Sequence, residues 1–211
     1  MNQDYNRHLE AIYKIGRKCT SNFELTDSDL WIYKLLLKYF NNDPSFEKEN
    51  PKYSLRKGLL IRGNIGTGKT SLMKVFSHFN RACNNSREYL IKRCTTLNIE
   101  FIKNGPITIE HNSINSFFKT NGLLDKTKPV TLCLDDLGTE VQEASYYSNH
   151  INFMQFILLG RYDGFCDYGM RTYITSNLHP EDIQLKYGYH VRSRLKEMCN
   201  DIIYPGTDRR K

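Results

Sequence analysis

The chain has 211 residues, enough for one well-buried α/β core, and its net charge of +7 favours a polyanionic partner. Its mean hydropathy of −0.58 is typical of a soluble globular protein, and its most apolar stretch, residues 151–159, is too short to span a bilayer. The first residues lack the pattern of a secretory signal, so we expect a cytoplasmic protein whose six scattered cysteines are reduced thiols.

Two helices are predicted before the first strand. Apolar residues recur at helical spacing within residues 5–15. A second helix begins with a capping-box pattern at Thr26 and Asp29 and stops at the turn residues 41–44. We therefore predict that residues 1–57 form a short N-terminal helical segment, which is a candidate contact for a partner protein.

From residue 58 onwards the pattern changes to alternating strands and helices. The predicted strands are 58–63, 88–93, 130–135, 171–176 and 201–204. The predicted helices are 69–82, 95–103, 149–160 and 189–199, with one more around 111–119. This alternation is typical of a parallel sheet with helices on both faces, so we predict a three-layer α/β domain, 58–211, around a five-stranded parallel sheet. No substantial helical lid is expected after the last strand.

Residues 63–70 read Gly-Asn-Ile-Gly-Thr-Gly-Lys-Thr, a full match to the phosphate-binding P-loop pattern G-x-x-x-x-G-K-[ST]. The glycines are needed because backbone N–H groups must converge on a polyphosphate, and a Cβ atom would block the approach. Lys69 is expected to reach the β- and γ-phosphates, and Thr70 to offer its hydroxyl to Mg²⁺. The pattern lies between a predicted strand and a predicted helix, as phosphate binding at a helix N-terminus requires. We predict that ATP is bound by Gly63, Asn64, Ile65, Gly66, Thr67, Gly68, Lys69, Thr70 and Ser71.

Two acids follow the apolar run 130–134. A hydrophobic strand that stops at carboxylates puts them at the carboxyl edge of the sheet, where open α/β folds bind ligands. Asp135 would then hold the Mg²⁺ shell, and Asp136 would orient or deprotonate the attacking water. Asn177 follows the predicted strand 171–176 and would hydrogen-bond the γ-phosphate or that water. Each pattern also occurs at plain strand-to-turn junctions, and only the combination with a P-loop favours a catalytic site.

Together these motifs resemble a known family. The P-loop, the stretch Asp135-Asp136-Leu137-Gly138-Thr139-Glu140 and the stretch Ile174-Thr175-Ser176-Asn177 resemble those of AAA+ ATPases of the DnaC/DnaI helicase-loader and IstB transposition-helper group. The run 187–195 looks like the arginine-finger helix of that group. The resemblance covers about residues 58–211 and implies the fold of a P-loop NTPase of AAA+ type.

The resemblance also implies roles for individual side chains. Asn177 matches the first sensor. Arg194, in preference to Arg192, matches the finger that completes a neighbouring subunit's site, so a homo-oligomer is expected when ATP is bound. Arg209 matches the second-sensor arginine, which binds nucleotide. Asp136 stands where AAA+ proteins generally carry glutamate, and the shorter side chain favours slow turnover.

By this resemblance the chain is an ATPase that acts on DNA with a replicative helicase, and assembly or single-stranded DNA stimulates it. An IstB-type helper that acts with a transposase is an alternative, because the discriminating surface is the partner interface. A non-catalytic, ATP-gated DNA-binding module is a second alternative. A small-molecule kinase is a third, although residues 137–160 lack the arginine cluster of a kinase lid. No membrane association is expected.

The run Phe117-Phe118-Lys119 has two interpretations. An aromatic and basic cluster suits stacking and charge contacts with single-stranded DNA. The same residues also suit the packed face of an amphipathic helix, and from sequence we favour this second interpretation.

Overall fold

The structure, a computed structural model, describes residues 2–20, 23–147 and 149–209. Its internal contacts divide the chain into two compact units. The first, which we call the helical unit, comprises the described residues within 1–55, 64–89 and 204–211. The second, which we call the sheet unit, comprises the described residues within 56–63 and 90–203.

The described residues form a series of helices and strands. The helices are α1 (Asn2–Cys19), α2 (Asp27–Phe40), α3 (Ser45–Lys48), α4 (Lys69–Ala82), α5 (Cys94–Asn104), α6 (Pro106–Asn112), α7 (Phe153–Tyr168), α8 (Pro180–Tyr187) and α9 (Tyr189–Met198). The strands are β1 (Gly58–Arg62), β2 (Leu90–Arg93), β3 (Phe117–Thr120), β4 (Leu123–Pro129), β5 (Leu132–Leu137), β6 (Ala144–Tyr146), β7 (Asn149–Ile151), β8 (Thr172–Ser176) and β9 (Cys199–Ile203).

The sheet unit is built on a five-stranded parallel sheet with the strand order β2-β5-β8-β1-β9. This confirms the predicted α/β fold, and the five predicted strands lie within a few residues of the observed ones. Every residue of β1 and β8 is buried, as is usual for central strands of a parallel sheet. In the part of the chain that the structure describes, no helix follows β9, as expected.

The helix predicted around 111–119 is wrong. α6 ends at Asn112, and the chain then enters an antiparallel hairpin formed by β3 and β4. Asn121 and Gly122 at its turn have positive φ angles of 53° and 82°, as two-residue hairpin turns of type I′ require. The Asn-Gly turn therefore outweighs the helical spacing of the apolar residues before it.

The helix predicted at 149–160 is shifted along the chain. Residues 149–151 form β7, which pairs with β6 in a second hairpin. α7 then begins after Asn152, whose side chain accepts a hydrogen bond from the backbone N–H of Gln155 at 3.1 Å. It continues to Tyr168 because the chain meets Gly169, with a φ of 65°, only there.

The helical unit packs α1, α2 and α4 around a cluster of aromatic rings. The ring of Phe76 in α4 stacks on the rings of Tyr33 and Phe40 in α2, with centroids 5.8 and 4.9 Å apart. The helices predicted within residues 1–57 thus pack with the helix that follows the P-loop. The role of 1–57 as a separate partner-binding segment stays a prediction. None of the described helices is both long enough and apolar enough to cross a membrane.

Candidate nucleotide site

The carboxyl ends of three neighbouring strands in the sheet unit bring several predicted site residues to one edge. β8 lies between β5 and β1 and pairs in parallel with both. The backbone N–H of Gly63, the first P-loop residue, donates to the carbonyl of Ser176 at 3.3 Å. Asn177 follows directly, and Asp135 and Asp136 lie near the carboxyl end of β5, the neighbouring strand, just before its last residue, Leu137. The acids, the predicted sensor and the start of the P-loop therefore share one sheet edge, as the sequence predicts.

One hydroxyl group joins the two acids. Thr175 Oγ1 donates to Asp135 Oδ1 at 2.8 Å and accepts a hydrogen bond from the backbone N–H of Asp136 at 2.9 Å. Both Thr175 and Asp135 are fully buried. The β5–β8 register shifts between Leu134 and Leu137, so the acids lie in an irregular part of the ladder. Thr175 thus fixes the acids where the regular backbone pairing of the two strands is interrupted.

Asp136 has an unusual backbone conformation. Its φ is 58°, in the left-handed region that non-glycine residues seldom occupy, although aspartate tolerates it better than most. Its carbonyl accepts hydrogen bonds from the backbone N–H and the hydroxyl of Thr139, at 3.2 and 2.7 Å. The chain therefore turns sharply at Asp136, and such strained positions are common at active sites.

The loop after the acids is held by a buried carboxylate that sequence reasoning did not identify. Glu140 accepts hydrogen bonds from the backbone N–H of Gly138 at 3.0 Å and from the hydroxyl of Tyr187. Lys186 Nζ donates to the carbonyls of Gly138 and Glu140 at 2.6 and 2.8 Å. Burial, followed by the nearby charge of Glu140, raises the pKa of Tyr187 well above its ordinary value. These contacts fasten the loop to the end of α8, next to the arginine-bearing helix α9.

The two candidate finger arginines have different surroundings. Arg192 donates to the side chains of Gln184 and Glu181 on α8, at 2.8 and 3.1 Å. The guanidinium of Arg194 lies 4.8 Å from the ring centroid of Tyr162 on α7. Arg194 is half-buried and its guanidinium makes a cation–π contact with one ring, whereas the guanidinium of Arg192 is bound by two side chains. Arg194 therefore stays the better candidate, and its role stays a prediction.

The P-loop within the helical unit has the backbone geometry of its motif. Gly66 and Gly68 have φ angles of 77° and 97°, and α4 begins at Lys69. Lys69 Nζ donates to the carbonyl of Asn64 at 2.6 Å, so the side chain lies along its own loop. The hydroxyl of Thr67 donates to the same carbonyl at 3.1 Å.

The P-loop residues of the helical unit fit a polyphosphate. The positive φ angles at Gly66 and Gly68 let successive N–H groups converge, and the first turn of α4 supplies the N–H groups of a helix N-terminus. Thr70 and Asp135 are hard oxygen donors of the kind that Mg²⁺ binds. Among the described residues, no three or more His, Cys, Asp or Glu side chains form a ready-made metal cluster.

The segment that follows β9 lies along the P-loop within the helical unit. The backbone N–H of Arg209 donates to the carbonyl of Gly66 at 3.2 Å, and Asn64 Nδ2 donates to the carbonyl of Gly206 at 3.5 Å. The predicted second-sensor residue is thus beside the P-loop. Its guanidinium, however, makes two hydrogen bonds to the carboxylate of Asp29, at 2.8 and 2.6 Å. Nucleotide binding by Arg209 stays a prediction.

Asp29 is a buried carboxylate with several donors. Besides Arg209, the hydroxyls of Tyr204 and Thr26 donate to it, at 2.6 and 2.7 Å. Burial opposes its ionisation, but the hydrogen bonds from Arg209, Tyr204 and Thr26 outweigh burial and lower the pKa of Asp29 to about 2. The capping-box pattern predicts only the contact of Asp29 with the Thr26 backbone, which the structure has at 3.0 Å. No local sequence pattern predicts the contacts of Asp29 with Tyr204 and Arg209.

No protein-family model matches this sequence, and none of the curated proteins matches it. Solved structures do match. A protein described as a primosome component from Streptococcus pyogenes serotype M3 is 20% identical, with a TM-score of 0.56, and the match covers 90% of this chain and 87% of that one. DnaI is 18% identical, with a TM-score of 0.58 and coverages of 90% and 89%. The DnaC helicase loader is 19% identical, with a TM-score of 0.54 and coverages of 87% and 94%.

These similarities confirm the fold that the motifs imply. At such low identities a shared structure establishes the fold alone. The chain therefore shares the α/β fold of the DnaI and DnaC structures.

Proposed function

We propose that the chain is an ATP-binding AAA+ protein of the helicase-loader type that acts on DNA together with a replicative helicase. The observation that carries the proposal is the sheet edge at which Gly63, the Asp135-Asp136 pair and Asn177 meet. It occurs in a fold that matches the DnaI and DnaC structures over most of the chain. A P-loop with left-handed glycines follows directly on β1.

Each site residue has a separate role in the proposed binding and hydrolysis of ATP. The P-loop N–H groups and Lys69 bind the phosphates, while Thr70 and Asp135 hold Mg²⁺. Asp136 orients the attacking water or accepts its proton, and Asn177 hydrogen-bonds the γ-phosphate or that water. ATP with Mg²⁺ supplies the phosphoanhydride bond whose hydrolysis times the release of the partner. The aspartate at position 136, which is shorter than glutamate, favours slow hydrolysis.

Hydrolysis depends on assembly in this proposal. Arg194 reaches the site of a neighbouring subunit, where a guanidinium spreads its charge over the leaving phosphoryl group. Reaching that site requires Arg194 to leave the ring of Tyr162, a contact of about 1 kcal/mol at a partly exposed position. An ATP-bound homo-oligomer on single-stranded DNA is therefore the active species.

The proposal is tested by mixing the chain with the replicative helicase of the same cell and separating complexes by size. We expect the two proteins to migrate together with a non-hydrolysable ATP analogue and to separate with ADP. Lys69→Ala should lose this nucleotide dependence, whereas Lys74→Ala, an exposed lysine on the same helix, should keep it. Failure to associate in every nucleotide state would overturn the helicase assignment, and nucleotide-dependent association with a transposase would replace it with a transposition helper.

A further inference from the structure

The hairpin formed by β3 and β4, Phe117–Pro129, is anchored at its base and exposed at its tip. At the base, the ring of Phe117 is buried and meets the ring of Tyr168 edge-on, with centroids 5.1 Å apart. The backbone N–H of Val130 donates to the carbonyl of Ser116 at 2.8 Å, which closes the base. From Phe118 to Leu124 every residue is exposed. The hairpin is a separate two-stranded sheet, outside the five-stranded one.

Three large apolar side chains lie at this exposed tip. Phe118, Leu123 and Leu124 are 55%, 77% and 45% exposed. Thr120 pairs with Leu123 and Lys119 with Leu124 next to the turn, and the register shifts between Phe117 and Lys119, so Phe118 lies in the irregular part of the ladder beside these pairs. Single exposed apolar residues are common, but three within seven residues at a projecting turn indicate a contact surface.

The charges on the hairpin are mainly positive. Its one acid, Asp125, accepts hydrogen bonds from Thr127 and Thr120, at 2.6 and 2.9 Å, and pairs with Lys128 at 3.1 Å. Partners within the hairpin therefore bind its one acid, Asp125, and Lys128 is the lysine that pairs with it. The other two lysines, Lys119 and Lys126, are exposed, and Lys126 lies over the ring of Tyr168 at 5.6 Å.

This combination fits single-stranded nucleic acid better than a protein surface. Lysine is depleted at the centres of protein interfaces, whereas single-strand binding surfaces combine cations with aromatic side chains that stack on bases. Phenylalanine and leucine are also the side chains that DNA-bending proteins insert between bases.

We propose that the β3–β4 hairpin binds single-stranded DNA, with Phe118 and Leu123 against the bases and Lys119 and Lys126 against the phosphates. The inference rests on the proposed action on DNA and names the surface that carries it. The hairpin is followed closely by β5, which carries Asp135 and Asp136 near its carboxyl end. DNA bound at the hairpin is therefore held by a segment close in sequence to the proposed catalytic acids.

The test measures the affinity for a fluorescent 30-nucleotide oligo-dT by anisotropy, with a non-hydrolysable ATP analogue present. The double variant Phe118→Ala/Leu123→Ala should bind at least about ten-fold more weakly, because each stacked base contributes that much or more. The control is Leu185→Ala, which removes a side chain that is 85% exposed on α8 and should leave the affinity unchanged. Unchanged binding of a fluorescent ATP analogue shows that each variant is folded.

Salt dependence tests the lysines separately. The affinity for single-stranded DNA falls as the salt concentration rises. In Lys119→Ala/Lys126→Ala the plot of log affinity against log salt should be less steep by about 1.4, or about 0.7 for each phosphate that a lysine no longer neutralises. Lys48→Ala/Lys52→Ala, an exposed pair in the helical unit, should keep the original slope.

The outcomes separate this inference from the proposed function. If the original chain binds oligo-dT and the hairpin variants bind it equally well, the hairpin assignment is wrong while the DNA role stands. If the hairpin variants keep DNA binding but lose association with the helicase, the surface serves a protein partner and the inference is overturned. If the original chain binds no DNA in any nucleotide state, both proposals fail.

Discussion

Thr175 contacts both proposed site acids, Asp135 and Asp136, without being an acid itself. Its hydroxyl accepts from the backbone N–H of Asp136 and donates to the carboxylate of Asp135, so one side chain sets both residues. A buried polar residue in a central strand is costly unless it is hydrogen-bonded, and here both bonds go to the site. We therefore assign Thr175 as a positioning residue for hydrolysis.

Thr175→Val removes this hydroxyl and nearly preserves the volume. We expect kcat for ATP hydrolysis to fall about ten-fold or more with little change in the dissociation constant for ATP, because the acids lose their orientation while the P-loop is untouched. Thr175→Ser, which retains the hydroxyl, should recover most of the rate. An unchanged rate in Thr175→Val together with a reduced rate in Thr175→Ser would show that the methyl packing matters and the hydroxyl does not.

The buried carboxylate of Asp29 makes stability depend on pH. Its pKa is about 2 in the folded chain against an ordinary value of 3.8, so the folded state binds its proton less readily than the unfolded state. The resulting stabilisation is complete above about pH 5 and is lost as the pH falls towards 2, by about 2 kcal/mol. Urea unfolding between pH 5 and pH 2 should show this loss in the original chain.

The matched variants for that experiment are Asp29→Asn and Asp27→Asn. Asp29→Asn should be less stable at pH 5 and should lack this part of the pH dependence. Asp27, an exposed carboxylate in the same helical turn, serves as the control, and its variant should follow the original curve. A pH dependence that persists in Asp29→Asn would mean that other carboxylates cause it.

At the scale of elements, the contact between Glu140, in the loop after β5, and Tyr187, at the end of α8, is the easiest to test. Tyr187→Phe removes the hydroxyl that donates to buried Glu140 and leaves a carboxylate oxygen with one donor fewer. We expect a loss of about 2 kcal/mol, or roughly 6 °C in melting temperature. Tyr189→Phe alters an exposed ring two residues away and should change neither the stability nor the melting temperature. Equal melting temperatures for both variants would show that the Glu140 contact contributes little.

The elements also show how far the sequence predicts the fold. The five core strands are predictable because each is a short segment that contains consecutive apolar residues between helices or turns. The β3–β4 hairpin is missed because the spacing before Asn121 suits a helix as well, and only the turn geometry of Asn121-Gly122 decides between them. Similarly, residues 149–151, at the start of the helix predicted at 149–160, form β7 instead because they pair with β6.

The candidate site, too, is only partly predictable from the sequence. The P-loop and the Asp135-Asp136 pair are predictable because their chemistry requires fixed residue types at a fixed local spacing. The roles of Thr175 and Glu140 depend on contacts between elements, and the pairing of Asp29 with Arg209 joins residues 180 positions apart. No local pattern encodes such contacts, so they emerge only from the folded chain.

At the scale of the whole molecule, the proposed hydrolysis requires assembly. The net charge of +7 favours gathering several copies on a polyanion, where a basic chain concentrates. A finger arginine supplied by a neighbour then makes each site incomplete until that neighbour arrives. Isolated subunits should bind ATP and hydrolyse it very slowly.

The most direct measurement of this claim is the steady-state rate of ATP hydrolysis per subunit, across protein concentration, with and without single-stranded DNA. We expect the rate to rise with concentration and to rise further with DNA. Lys69→Ala should abolish hydrolysis by preventing tight ATP binding, and Arg194→Ala should bind ATP normally while its rate stays low at every concentration. A near-zero rate of the original chain at all concentrations despite bound ATP, or a normal rate in Arg194→Ala, would contradict hydrolysis by assembly.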